Sequence, residues 1–249
     1  MDGRKLPNRP FRSTDRSSGR RSIAEHAINI CYVSPPGTIG GGEVSLLHLV
    51  ANLSQSGYRP IVITYGTGDL VDRLQENGIE VHTFERGGRL SELTLIYRLA
   101  AFFRRRRIRM VHVNMLDIRA GLAARLASCK LVGHLRVIFP TTWVDRLFVH
   151  LSHRCIAVSE AARKIFASDD KSLYHKFVVI PNGVHLGSFS AADLKGELGL
   201  PPQSVLIGAV GRLDPFKGFE HFIGAVPSIL VKIPEARFLI VGRPGNEHE

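Results

Sequence analysis

Cysteine is scarce in this 249-residue chain: Cys31, Cys129 and Cys155 are scattered, and none belongs to a CxxC or Cys/His spacing. A disulfide framework and a zinc site are therefore not expected, and a reducing, cytosolic compartment fits best. There is no run of 18 or more apolar residues, and the opening MDGRKLPNRPFRSTDRSSGRR has no apolar stretch of signal-peptide length. Neither a membrane-spanning helix nor a secretory leader is expected. The GxGxxG fingerprint, the P-loop and the Asp-x-Asp metal signature are all missing, as is any internal repeat beyond an alternation of strands and helices. Acidic residues are few, 22 against 33 Lys and Arg, for a net charge of +11.

Much of that charge is local. Arg4, Lys5, Arg9, Arg12, Arg16, Arg20 and Arg21 face only Asp2 and Asp15, so residues 1–22 read as a disordered basic tail. With no RNP-type aromatic pattern or helix-turn-helix signal beside it, specific nucleic-acid binding is not expected. The whole chain, 44% hydrophobic and 22% charged, has an ordinary globular composition, and its length suits between one and two domains.

From Ile28 onward, short β-branched runs at 28–34, 60–65, 80–84, 110–115, 131–137, 155–158 and 177–180 alternate with helical segments. This is the pattern of a parallel sheet covered on both faces, hence an α/β fold. Leu46, Leu47, Val50 and Leu53 mark the first helix, which Gly57 stops; the second spans 69–76. A third, 91–107, turns Leu95, Ile96, Leu99, Ala100 and Phe103 to one face and ends in Arg104–Arg107, cations that suit a helix C-terminus. The same segment also reads as a basic amphipathic helix on an anionic membrane, with Phe102 and Phe103 as anchors. Periodicity lapses through residues 186–203, the expected linker, and a second domain begins with the strand from Val205, a helix over 218–231 and a strand at 238–241.

Two glycine turns carry chemistry. Gly37, Gly40, Gly41 and Gly42 lie between the first strand and its helix, where backbone N–H groups can meet an anion. Gly211-Arg212-Leu213-Asp214-Pro215-Phe216-Lys217-Gly218 repeats the arrangement with two cations, able to neutralise a diphosphate without a metal.

Taken in order, Gly40-Gly41-Gly42-Glu43, Val158-Ser159-Glu160, Pro181-Asn182-Gly183-Val184 with Phe189, and the 211–218 loop resemble a family 4 glycosyltransferase of the GT-B fold. The resemblance covers roughly Ile28 to the end. It implies a complete N-terminal Rossmann-like domain over residues 23–185 and the first βαβ portion of a second over 204–249. It also implies hexosyl transfer from a nucleotide-diphosphate sugar to a glycan or lipid-linked acceptor, with retention and without a metal or other cofactor.

By the same resemblance, Gly40, Gly41, Gly42, Gly211, Arg212 and Lys217 would bind donor phosphates, and Glu43, Ser159 and Asn182 would lie on the acceptor side. Arg212 and Lys217 would stabilise the departing nucleotide. Where relatives read Thr-x-His, this chain has Gly133-His134-Leu135-Arg136, so His134 and Arg136 join the catalytic candidates. His185 follows Asn182-Gly183-Val184 where relatives carry Asp. The family's paired glutamates are not matched by Glu235, Glu247 or Glu249, so this length of chain is expected to transfer little sugar. Two alternatives stand beside this reading: a GT-B-like nucleotide-sugar epimerase, and a non-catalytic glycan- or lipid-binding module or subunit of a split transferase. The expected location is cytoplasmic, peripheral on the inner face of the membrane.

Overall fold

The computed structural model describes residues 27–53, 56–85, 89–136, 142–167, 171–184 and 192–242. The basic tail, Val137, His185, Phe189, Glu247 and Glu249 lie outside the described residues. The chain divides into two compact units, Met1–His185 and Leu186–Glu249.

The first unit is built on seven parallel strands, β1 (Ile28–Val33), β2 (Tyr58–Thr64), β3 (Glu80–Thr83), β4 (Met110–Val113), β5 (Lys130–Leu135), β6 (Arg154–Ala157) and β7 (Phe177–Val179). Their order in the sheet is β3-β2-β1-β4-β5-β6-β7. The helices are α1 (Gly41–Leu53), α2 (Asp69–Glu76), α3 (Arg89–Arg105), α4 (Ile118–Leu126), α5 (Trp143–Leu151) and α6 (Glu160–Ala167). The strand positions read from β-branched runs agree with these to within two residues at each end, because parallel strands buried on both faces need such runs.

Alternate residues of each strand point to opposite faces. Ile30, Tyr32 and Val62 pack with Leu46 and Val50 of α1 and Leu70 and Leu74 of α2. Cys31, Val33, Ile61, Ile63 and Val111 face the other way onto Leu95, Leu99 and Phe103 of α3, Ala120 and Ala123 of α4, and Phe148 of α5. A third cluster joins Leu135, Cys155 and Ala157 to Val149, Ala162 and Phe166. The apolar face expected for α3 is buried as read: Leu95, Ile96, Leu99, Ala100 and Phe103 are all in the core.

The membrane-anchor reading of α3 is corrected here. Phe103 is fully buried, and Phe102 makes edge contacts with His82, Phe84 and Phe103. Arg104 donates to the Leu126 carbonyl and Arg106 pairs with Glu80. Among the described side chains of α3, the large apolar ones that are exposed are instead Leu93 and Tyr97. No described helix is long and apolar enough to cross a membrane.

The second unit holds a parallel pair, β8 (Val205–Val210) and β9 (Ala236–Val241), joined by α8 (Phe219–Lys232). The stretch read as linker contains a one-turn helix, α7 (Leu194–Glu197), whose N-terminus is capped by Asp193 accepting from the Gly196 N–H. Within the described part of this unit, Ser204 and Ala236 are the buried residues.

Candidate functional site

In the first unit the chain reverses direction across the sheet at β1, which is flanked by β2 on one side and β4 on the other. The connection leaving β1 runs to α1 on one face, and that leaving β4 runs to α4 on the opposite face. A crevice opens at the carboxyl ends of strands where connections part in this way, and ligands of open α/β sheets bind there.

A polar network fills that point. Asn114, fully buried just after β4, accepts from Arg136 Nε at 2.5 Å. Its Nδ2 donates to Ser34 Oγ at 3.2 Å and to Glu43 Oε1 at 3.4 Å. Arg136 Nη1 donates to Asn182 Oδ1 at 2.7 Å, and Ser45 Oγ donates to the same oxygen at 3.3 Å. Arg136, half-buried just beyond β5, is thus held by asparagines from two different loops. Burial pushes its guanidinium down from the ordinary value, and the Glu43 carboxylate opposes that shift. Beside Asn114, Met115 takes a φ of 119°, a conformation that costs a non-glycine residue ~1–3 kcal/mol and concentrates at functional sites.

The first glycine turn has a specific use here. Glu43, buried in the first turn of α1, accepts from the Gly40 N–H at 3.1 Å through its other oxygen, the reach-back half of a capping box. A side chain on Gly42 would bring its Cβ to 2.9 Å from Arg136 Cδ, so the missing Cβ is the space through which the arginine passes. Gly41 is open, with nothing near a Cβ placed on it.

On the α1 side of the sheet, His112 of β4 and His134 of β5 meet through Nε2 and Nδ1 at 3.1 Å. Burial, aided by the Arg136 charge, pushes His112 down to about 4 and His134 to about 3, so both rings are uncharged at neutral pH. Among the described residues, His134 Nε2 is buried without a hydrogen-bond partner. A cavity of about 420 Å³ lies beside the pair, lined by both histidines, Ser45, Leu49 and Asn52 of α1, Ile156 of β6, Arg136 and residues 180–184. Such a volume lies within the range of small-ligand sites.

The structure therefore brings Gly40, Gly42, Glu43, His134, Arg136 and Asn182 into one neighbourhood. Sequence reasoning missed Ser34, Asn114 and His112, none of which belongs to a recognisable motif. Ser159 accepts from the Ala162 N–H at 3.1 Å and so caps α6.

In the second unit, Gly211, Arg212 and Lys217 lie on the loop after β8. There Gly218, with φ 67°, ends a 3-10 turn over Pro215–Lys217 and starts α8. Arg212 is exposed and pairs with Asp214 through Nε at 3.2 Å. Among the described residues, no cluster of three His, Cys, Asp or Glu side chains could hold a metal ion.

Residues 39–188 match the model of Glycosyltransferase Family 4. The phosphatidyl-myo-inositol mannosyltransferase of Mycolicibacterium smegmatis is 38% identical over 95 residues, covering 38% of this chain and 23% of the relative. A UDP-Gal:alpha-D-GlcNAc-diphosphoundecaprenol alpha-1,3-galactosyltransferase of Escherichia coli is 33% identical over 150 residues, 53% of this chain and 39% of the relative. Among solved structures, Anabaena HepE in complex with UDP-glucose matches with a TM-score of 0.73 at 22% identity, covering 89% of this chain and 62% of that one. The matches thus span less than two fifths of either curated relative and under two thirds of HepE. The fold is of the α/β GT-B type with Rossmann-like topology. With a family model aligned to well over half of its length, the chain belongs to Glycosyltransferase Family 4.

Proposed function

We propose that the protein transfers a hexosyl group from a nucleoside-diphosphate sugar to a glycan or lipid-linked acceptor, with retention at the anomeric carbon and without a metal ion or other cofactor. The observation that carries this is the Arg136 network: a guanidinium fixed by Asn114 and Asn182 at the topological switch point, beside an open cavity. Fixed donors aimed at developing charge lower a barrier because no reorganisation is needed as the reaction proceeds. In this reading the first unit holds the acceptor, with Glu43 and Asn182 ordering its loops and His134 and Arg136 facing the reacting sugar. Gly211, Arg212 and Lys217 of the second unit receive the diphosphate, the cations stabilising the charge that grows on the β-phosphate as the anomeric C–O bond breaks. The names of the relatives support the substrate classes: HepE is seen with UDP-glucose, and the Escherichia coli relative is named for UDP-Gal and a diphosphoundecaprenol acceptor.

We place the protein at the cytoplasmic face of the membrane, peripherally. Support for this comes from Arg105 and Arg107, exposed at the end of α3, and from the exposed Leu93 and Tyr97 of the same helix. Salt-sensitive sedimentation with anionic vesicles, lost in Leu93→Glu/Tyr97→Glu, is the expected result; indifference to salt and to the variant would remove this part.

The transfer reading is tested on the native polypeptide isolated from its source cells, given radiolabelled UDP- and GDP-sugars and a lipid extract in EDTA. Labelled product of retained anomeric configuration is expected. A strict need for divalent cations would end the metal-free reading, an inverted product the retaining one, and epimerised donor without transfer the whole.

A further inference from the structure

We propose that the first unit carries a phosphate-binding site at the amino edge of its sheet, formed by Arg125, Lys130 and His153 with the charge of Lys176 behind them. It lies at the opposite end of the strands from the Arg136 network and depends on neither the transfer reading nor the membrane placement.

The fold gathers these groups from three successive strand connections. Helices α4 and α5 run back to the amino edge, so Arg125 in the last turn of α4 and His153 after α5 come together with Lys130, which opens β5, and Lys176, which precedes β7. The His153 ring is fixed, its Nδ1 accepting from the Leu131 N–H at 3.0 Å. Lys176 is fixed as well, its Nζ donating to the carbonyls of Val149, His150 and Ser152 at 3.2, 2.6 and 3.0 Å. Arg125 and Lys130 are exposed at the rim.

Fixing Nδ1 fixes the tautomer. A ring nitrogen that accepts a hydrogen bond bears no proton, so the neutral imidazole carries its proton on Nε2. Arg125 Nη1 stands 3.3 Å from that Nε2. A guanidinium nitrogen donates and does not accept, so the contact sets two N–H groups against each other with no lone pair between them. Burial, and then the charges of Lys130, Arg125 and Lys176, push the ring below its ordinary value, which keeps it in this neutral form. The charged side chains that act on it are all cations. Donors that converge without an acceptor call for an anion, and one oxygen about 2.8 Å from each nitrogen satisfies both. A phosphate group brings that oxygen together with further acceptor oxygens for Lys130. A carboxylate, planar and with one oxygen to spare, covers less of the cluster. The phosphate arrives free or as the headgroup of an anionic lipid, and the experiment separates these sources.

The experiment is a long-range ¹H–¹⁵N correlation of the histidine-labelled full chain, titrated with inorganic phosphate and, at matched ionic strength, with sodium chloride. The Nε2–H tautomer of His153 is expected from the start, with a saturable shift of Nε2 in phosphate and none in chloride. Affinity should fall about tenfold in Arg125→Gln/Lys130→Gln, whose exposed side chains leave the core untouched. It should be unchanged in Arg73→Gln/Lys232→Gln, which removes the same charge elsewhere. Vesicles of phosphatidic acid then assign the source. Sedimentation that phosphate competes away and that Arg125→Gln/Lys130→Gln abolishes identifies a lipid headgroup; vesicle binding equal in that variant, with phosphate binding weakened, identifies a free phosphate. Both results uphold the site, and vesicle binding lost only in Leu93→Glu/Tyr97→Glu bears on the membrane placement alone. An Nδ1–H tautomer, the absence of a saturable phosphate shift at His153, or equal phosphate affinity in Arg125→Gln/Lys130→Gln overturns the proposal.

Discussion

Arg136 and Arg212 are both arginines beside a glycine turn that opens a helix, yet their surroundings differ. Arg136 is half-buried, hydrogen-bonded to Asn114 and Asn182, and runs through space left by Gly42. Arg212 is exposed and shares its charge with Asp214 of its own loop. The contrast extends to the units that carry them. The first covers a seven-stranded sheet with three apolar clusters. The second has a two-stranded sheet, with Ala236 as the apolar side chain it buries among the described residues. A site can be pre-organised only where a packed core fixes the elements that carry it. The first unit therefore has a built site, whereas Arg212, in the described part of the second, is held by one exposed ion pair.

The largest expected effect separates the two cores. Phe148 of α5 is fully buried against α4 and β5, whereas Phe216 is 96% exposed. Phe148→Ala should destabilise the first unit by about 3–5 kcal/mol, and Phe216→Ala should change stability by less than ~0.5 kcal/mol, both read by urea denaturation. Equal effects would break the comparison.

Next is the response to acid. The unfolded chain protonates its histidines near 6.5, while burial holds His112 at about 4 and His134 at about 3. The unfolded state therefore binds more protons in that interval, so stability is fully present above pH 6.5 and is lost as pH falls toward the folded values. Each histidine contributes a slope of up to ~1.4 kcal/mol per pH unit. Urea midpoints between pH 7.5 and 5 should show this slope. The double variant His112→Phe/His134→Phe should flatten it, and an unchanged slope would mean that these two rings are not buried as described.

Smaller again is the loss of either arginine. Arg136→Ala strips the buried Asn114 oxygen of its donor and leaves Asn182 with Ser45 alone, and should cost about 1–3 kcal/mol. Arg212→Ala breaks one exposed pair and should cost less than ~1 kcal/mol. The smallest effect is expected at Gly42→Ala, where improved helix propensity and the contact with Arg136 Cδ offset each other to within ~1 kcal/mol. The Arg136 Nε–H resonance should nevertheless move, because the side chain must give way.

These contrasts also mark what could be read in one dimension. Every strand was legible from β-branched runs, and α1 to α3 from apolar periodicity. α4, written IRAGLAARL, buries Ala120, Ala123 and Ala124, residues too small to mark an apolar face strongly. α5 carries a signal in its sequence, the Thr142–Asp145 capping box. In the site, glycine turns and cations stood out because backbone and charge requirements restrict residue type. Asn114 and His112 did not, because their role arises from sheet pairing, which sets β4 beside β1 and β5. Ser159 stood in a motif, but the bond seen there is a helix cap.

The central claim is that Arg136 is held in place by the packed core of the first unit. Residue-resolved amide hydrogen exchange under native conditions tests this most directly. The account predicts that amides of β1, β4 and β5, the strands that carry the site, exchange only through global unfolding of the unit. Exchange of these amides through local opening at far lower free energy would contradict it.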